Sequence, residues 1–289
     1  MSATDVRWQQ KINGAVAVIT GASSGMGQAL AKQLAGYGCH LALVDVNAKG
    51  LAETAALVGT GITCTQHKVD VSDREAMETL AQQVVTQHGR VNMVFNNAGV
   101  AASGNLEVLP YEDFEWLMGI NFWGVVHGCK AFLPYLRQAE WGHLINTSSV
   151  FGLISVPTQT AYHAAKFAVK GFTDSLAQEL AESNIQVSCV MPGGVKTNIV
   201  RSSRFVASDN TSPTKEEMVT SFETFANLTS DQAAAEILHG VAHSRLRILV
   251  GRDAQLLAAL VRLMPVRYSN VLNWFGRRRQ ENPGPTSSS

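Results

Sequence analysis

The sequence predicts an α/β fold: a doubly wound parallel sheet of about seven strands with helices on both faces, in a single domain with a helical C-terminal extension. Two observations carry that expectation. Short apolar runs rich in β-branched residues alternate with longer helical patterns, the signature of repeated strand–helix–strand units. Most of the runs are apolar throughout rather than at every second residue, which suits strands covered on both faces.

In chain order, a strand at 15–20 (AVAVIT) runs through a glycine-rich turn into a helix at 26–37. A strand at 40–45 (HLALVD) and a helix at 48–57 come next, then a strand at 63–69 and a helix at 73–88. The strand at 91–96 precedes a long helical pattern at 111–136, and the strand at 142–147 precedes another at 161–180. Strand 186–191, helix 230–243 and strand 246–250 complete the set. Each helix repeats apolar residues three and four apart, so they share one face. No internal Pro-, Gly- or Ser-rich linker interrupts them, and one domain is expected over 10–252. Its one long irregular insert, 198–221, is polar, contains Pro213 and follows a strand end, where α/β folds place loops that cover ligands.

Composition narrows the function class. Lys plus Arg, 23, equals Asp plus Glu, 23, so the molecule has no net field with which to draw in nucleic acid. The four cysteines, Cys39, Cys64, Cys129 and Cys189, have neither CxxC nor Cys/His spacing and read as buried thiols in a reducing compartment. Residues 1–13 lack the apolar core of a signal peptide, and no apolar run reaches the length of a membrane span. The expectation is a cytoplasmic protein. The eight histidines lack H-E-x-x-H or other ligand spacing, and no metal is expected.

The turn after the first strand reads Thr20-Gly21-Ala22-Ser23-Ser24-Gly25-Met26-Gly27 and opens a helix. Glycines there let the backbone bend and approach a pyrophosphate, while the helix N-terminus offers free N–H groups and partial positive charge. Asp45 ends the second strand, 24 residues beyond Gly21, where a carboxylate can hold an adenosine ribose. No Arg or Lys accompanies it to offset a 2′-phosphate, so the expected cofactor is NAD. Asp70, beside Val71, either caps the next helix or holds the adenine amino group. Tyr162 and Lys166 stand four apart on one helical face, and a neighbouring ammonium is expected to lower the phenol's pKa into use. Ser148 and Ser149 both follow a strand end, where a hydroxyl can polarise a carbonyl. His163 should point away from that face.

Taken together, the glycine turn, Asn96-Asn97-Ala98-Gly99, Asn121, Ser149, Tyr162-His163-Ala164-Ala165-Lys166 and Pro192-Gly193-Gly194-Val195-Lys196-Thr197 resemble the short-chain dehydrogenase/reductase family over roughly residues 12–252. Met26, where the family more often has Ile, is a mild departure. The resemblance implies a Rossmann-type fold and hydride transfer between NAD(H) and a secondary alcohol or ketone. Its spacing selects Ser149 as the serine, thirteen residues before Tyr162. It implies that Asn121 marks a helix kink and holds a water leading to Lys166. Asn97, Ala98 and Gly99 would let the nicotinamide ribose lie close, Pro192, Gly193 and Val195 would line the cofactor, and Thr197 would hold the carboxamide. Homodimers or homotetramers paired through the helices at 111–136 and 161–180 are implied as well. A noncatalytic NAD-sensing or scaffold protein on the same fold is the alternative, and the complete Ser149, Tyr162 and Lys166 set argues against it.

The substrate is expected to be a small, apolar alcohol or ketone. Its pocket should be drawn from 101–109, 152–159 and the insert, where Val100, Leu106, Leu153, Ile154 and Val156 lean apolar. The segment 245–279 holds eight arginines against Asp253 alone, a charge of +7, with Leu256, Leu257, Leu260, Val261, Leu263 and Met264 before Pro265, and Val271, Leu272, Trp274 and Phe275 after it. Peripheral contact with anionic lipid is the less favoured reading; a helical extension at 253–281 that packs on the body or a neighbouring subunit is preferred, followed by a disordered tail at 282–289.

Overall fold

A computed structural model of the protein describes residues 2–207 and 214–271. Its elements run α1 (Ala3–Ile12), β1 (Val16–Thr20), α2 (Gly25–Gly36), β2 (His40–Asp45), α3 (Ala48–Val58), β3 (Cys64–Lys68), α4 (Arg74–His88), β4 (Met93–Asn96), β5 (Ala102–Ser103) and α5 (Tyr111–Met118). They continue with α6 (Gly124–Gln138), β6 (Gly142–Thr147), α7 (Thr160–Glu179), β7 (Ile185–Pro192), β8 (Arg204–Phe205), α8 (Lys215–Phe225), α9 (Ser230–Ala242), β9 (Arg247–Val250) and α10 (Arg252–Leu263).

Seven strands form one parallel sheet in the order β3-β2-β1-β4-β6-β7-β9. Alternating residues of each strand feed two apolar layers. In β1, Ala17 and Ile19 join Leu30 and Leu34 of α2 and Ile237 and Val241 of α9, whereas Val18 joins Leu80 of α4, Phe132 of α6 and Val169 of α7. Both faces are covered, which is why the inner strands are apolar throughout. The edge strand β3, Cys-Thr-Gln-His-Lys, has only His67 buried. Strand order reverses between β1 and β4, so their carboxyl ends flank a crevice of the kind in which open α/β sheets bind ligands.

The differences from the sequence reading are local. The helix expected over 111–136 is broken by a π-helical turn, Gly119–Trp123, between α5 and α6. The insert is not wholly irregular: Thr214 and Glu217 make a capping box that starts α8. The polar N-terminus is helical, capped by Ser2 with Asp5, and α1 lies against the body through the edge-on contact of Trp8 with Tyr37 at 6.3 Å, so the packed unit begins before residue 10. The C-terminal extension is helical over α10, which ends ahead of Pro265. Residues 208–213, among them Pro213, and residues 272–289, with Leu272, Trp274, Phe275 and the expected tail, lie outside the described residues. All four cysteines are free; three are buried, and Cys64 is half-buried. Among the described residues no helix is long and apolar enough to cross a membrane.

Candidate active site

The glycine turn joins β1 to α2 at the strand-order reversal. Gly21 has φ +67°, and a Cβ there would come within 2.9 Å of the Ala98 Cα. A Cβ on Gly27 would lie 2.1 Å from the Gly21 carbonyl oxygen, so α2 reaches the turn only because both positions lack side chains. Thr20 Oγ1 accepts from the backbone N–H groups of Asn97 at 2.9 Å and Ala98 at 3.0 Å, lashing the ends of β1 and β4 together. Thr20 went unassigned in the sequence because this role is visible only across strands. Ser24 sits at the N-cap of α2 without a side-chain hydrogen bond, so the first-turn N–H groups of that helix are left uncapped.

Gly21 and Ser24 line a cavity of about 380 Å³ together with Ser23, Gly25, Met26, Asp45, Asp70, Val71, Asn97, Ala98, Gly99 and Thr197, while Gly27 lies behind the turn and is not in the lining. Its lining contains two carboxylates and neither Arg nor Lys. Asp45 accepts from Ser23 N at 3.1 Å and from Asn47 N at 2.9 Å, which ties the turn to the end of β2. Asp70 accepts from Ser72 N at 2.9 Å and from its hydroxyl at 2.7 Å, a turn at the cavity's edge, while the cap of α4 is Asp73, which accepts from Ala76 N at 3.0 Å. An uncapped helix N-terminus, a turn whose Gly21 and Gly27 leave no room for a Cβ, and the Asp45 carboxylate thus stand together at the strand-order reversal. Pro192, Gly193 and Val195 are not in this lining: the Val195 side chain is buried in the apolar layer beneath α9, and Gly193 lines a second cavity.

At the carboxyl end of β6 the two serines divide. Ser148 Oγ donates to the Lys166 carbonyl at 2.7 Å and is used up in packing. Ser149 Oγ accepts from Phe151 N at 3.1 Å, and Ser149 lines the same cavity as Tyr162, so it is the serine on the tyrosine's side. Lys166 Nζ donates to the Thr147 carbonyl at 3.0 Å and lies 5.6 Å from the centroid of the Tyr162 ring. Asn121 sits in the π-helical turn, fully buried, with its amide paired to both the N–H and C=O of Val100 at 2.8 Å. Asn121 Oδ1 and Lys166 Nζ both face Gly99: a Cβ there would meet them at 3.2 and 3.6 Å. Four residues spread over 46 positions of sequence are thereby assembled around one point.

Electrostatics at this point run against the sequence expectation. Burial pushes the Tyr162 phenol up to about 12, with the Ser149 hydroxyl working the other way, and burial brings the Lys166 ammonium down to about 8. Desolvation therefore sets the direction of the shift at the phenol.

The second cavity, about 470 Å³, carries Ser149 and Tyr162 on its wall with Phe151, Met218, Phe222 and Phe225. The segments expected to line it do contribute, through Ala101, Ser103, Val156, Gln159, Val200, Ser203, Met218 and Ser221, and Phe151, Phe222 and Phe225 add aromatic walls from outside them. Of the apolar residues anticipated there, only Val156 lines it; Val100 lines the first cavity, Leu106 is exposed and Ile154 is buried in packing. Asp253, at the start of α10, accepts from Gly194 N at 2.6 Å and braces the Pro192–Thr197 turn. Its distance in sequence hid that role. His163 turns from the cavities and binds the backbone of Phe151 and Val156.

Among the described residues one His/Asp group gathers within 4.8 Å, Asp5 with His239 and His243. Asp5 accepts from His239 Nδ1 at 3.0 Å and His243 Nδ1 donates to the His239 carbonyl at 2.8 Å, so α1 and α9 use these groups to hold each other.

A family model described as short chain dehydrogenase matches residues 15–205. A relative from Mycobacterium tuberculosis that carries the name oxidoreductase SadH is 43% identical over 263 residues, 90% of this chain and 94% of that protein. The solved structure of a short-chain dehydrogenase/reductase from Burkholderia phymatum in complex with NAD superposes with a TM-score of 0.77 at 30% identity, covering 96% of this chain and 99% of that one. An alcohol dehydrogenase from Thermococcus sibiricus complexed with 5-hydroxy-NADP matches with a TM-score of 0.66 at 29% identity, over 79% and 89% of the two chains.

Proposed function

The chain belongs to the short chain dehydrogenase family of oxidoreductases, and from that premise we propose that it moves a hydride between NAD(H) and the carbinol or carbonyl carbon of an apolar secondary alcohol or ketone. The observation that carries this reading is the assembly of Ser149, Tyr162, Lys166 and Asn121 between a dinucleotide-sized cradle and an apolar cavity.

When bound, the nicotinamide supplies or accepts the hydride. The chain supplies position and the proton. The uncapped start of α2 would hold the pyrophosphate, and Asp45 the adenosine ribose. Asp45 and the lack of a basic side chain in the lining support NAD over NADP, because a 2′-phosphate would meet a carboxylate with nothing to neutralise it. Ser149 and Tyr162 present hydroxyls to one side of the second cavity, where both can hydrogen-bond a carbonyl oxygen. Tyr162 then gives its proton to the developing alkoxide, or takes one from an alcohol in the reverse direction. Lys166, anchored on Thr147, holds its ammonium by Gly99, in reach of a ribose lying there, and Asn121 fixes the Val100 backbone beside it. Phe151, Met218, Phe222 and Phe225 favour an apolar substrate body.

The test is Tyr162→Phe. Turnover should fall by about 10²–10⁴-fold while NADH affinity, followed by fluorescence titration, stays within about twofold, since the ring is kept and only the proton is lost. A variant that turns over at the wild-type rate overturns the assignment.

A further inference from the structure

One wall of the apolar cavity is an irregular strap from Phe151 to Gln159, and it is held by groups outside the hydride-transfer set. His163, one residue beyond Tyr162 on α7, is buried, and both its ring nitrogens are spent on this strap. Its Nδ1 lies 3.0 Å from the Phe151 carbonyl and its Nε2 lies 2.9 Å from Val156 N. The partners fix the tautomer: a carbonyl only accepts and a backbone N–H only donates, so Nδ1 carries the proton and Nε2 is bare. The same ring packs 4.7 Å from the Phe151 ring, which stands edge-on to Tyr162 at 6.0 Å.

The neighbouring amide points the other way. Ser155 N donates to the Tyr268 hydroxyl at 3.0 Å, and Tyr268 belongs to the C-terminal extension, 113 residues away in sequence. Adjacent N–H groups of the strap are therefore held by the catalytic helix on one side and by the extension on the other. Beyond them Thr158 is in the left-handed region at φ +66°, unfavourable for a β-branched residue, and its carbonyl accepts from Gly104 N at 2.9 Å. A segment strained at one end keeps its shape only where its surroundings hold it.

We propose that His163 and Tyr268 are positioning residues that together set the substrate wall Phe151–Gln159, which makes the C-terminal extension a part of the substrate site. The proposal rests on the reading of the second cavity as the substrate site, yet the shape of the strap can be measured without a substrate. His163→Leu removes both tethers while roughly keeping volume, Tyr268→Phe removes one hydroxyl, and His163→Asn returns a donor to the place of Nδ1 without an acceptor for Val156.

Amide hydrogen–deuterium exchange of the full chain reads the strap directly. His163→Leu and Tyr268→Phe should each speed exchange in 151–159 by about tenfold or more, as expected when a protecting hydrogen bond is lost, with the sheet unchanged and the melting temperature within a few degrees. His163→Asn should leave Val156 fast and slow the Phe151 end. Kinetics with NADH and 1-tetralone as the probe ketone should raise KM about tenfold in His163→Leu, with kcat and the NADH Kd within about threefold. The double variant should add little to His163→Leu alone, because both residues act on one strap. Exchange that is unchanged in 151–159, or raised equally throughout the sheet, overturns the proposal. Fast local exchange in a protein that never reduces 1-tetralone would uphold the strap and count instead against the apolar-ketone reading.

Discussion

Tyr162 and Lys166 show how burial sets the direction of chemistry at a single residue. A phenol pushed up to about 12 keeps its proton at neutral pH and is ready to donate it, which favours ketone reduction. Alcohol oxidation needs the phenolate, whose share grows about tenfold for each pH unit below that value. Lys166 loses its charge above about 8 and with it the field that favours the phenolate. Initial rates should therefore show oxidation climbing steeply up to about pH 8 and less steeply beyond, with reduction nearly flat over the same range. An oxidation optimum below about pH 7 would contradict this account. At the cofactor end, Asp45 should make NADH bind at least about tenfold more tightly than NADPH, about 1.4 kcal/mol, with the gap narrowed in Asp45→Ala. Equal affinities would reduce Asp45 to its hydrogen bonds with Ser23 and Asn47.

Between elements, the pairing of β6 with β7 hides a group that titrates only when the sheet opens. His143 of β6 lies 2.8 Å from Ser188 Oγ of β7, and that hydroxyl donates to the Arg245 carbonyl at 2.7 Å, so His143 Nε2 is the donor in this pair. Burial first, and the charge of Lys11 second, hold it down to about 3. The sign follows from proton counting: between about 6.5 and 3 the unfolded chain binds a proton that the native sheet refuses, so stability is lost as pH falls through that window. The slope for one such group reaches about 1.4 kcal/mol per pH unit. Melting temperatures at about pH 7 and pH 4.5 should drop further in the wild type than in His143→Gln, which has no proton to gain. Equal drops would mean that this histidine does not sense the opening of the sheet.

For the whole molecule, the helices around the site carry exposed aromatic groups among the described residues. Trp123 is 51% and Phe167 42% exposed, beside α6 and on α7, the helices through which the family resemblance implies pairing. Aromatic groups of that size are costly to leave in water. Sedimentation velocity should find a dimer or tetramer, and Phe167→Glu should shift it towards smaller species by placing a charge in the contact. A wild-type monomer at micromolar concentration would refute the paired-helix arrangement. The C-terminal extension is tied down twice, by Asp253 on Gly194 and by Tyr268 on Ser155, while Leu256 and Leu263 of α10 face outward, 71% and 81% exposed. Over its described residues the extension is anchored at these two points, with Ala254 the only residue of α10 that is buried.

What the sequence determined by itself was everything carried by short-range spacing. Strand and helix periods predicted all seven strands of the parallel sheet and their covering layers, because an apolar side chain declares its face within a few residues. The glycine turn and the Tyr162–Lys166 pair were legible for the same reason, since their partners are one loop or one helical turn away. The kink at Asn121 was implied by the family resemblance, whereas its π-helical form, the start of α8 and the capped α1 were lost where local pattern is ambiguous and a few hydrogen bonds decide. Ser149 was chosen by the resemblance's spacing, and tertiary structure adds the physical reason that Ser148 is spent on the Lys166 carbonyl; it alone could send the Val195 side chain into the core and bring Asp253 to Gly194 across 59 residues. It alone could reverse the expected pKa shift of Tyr162, because desolvation depends on what the whole fold places around a group and leaves no mark in the residues beside it.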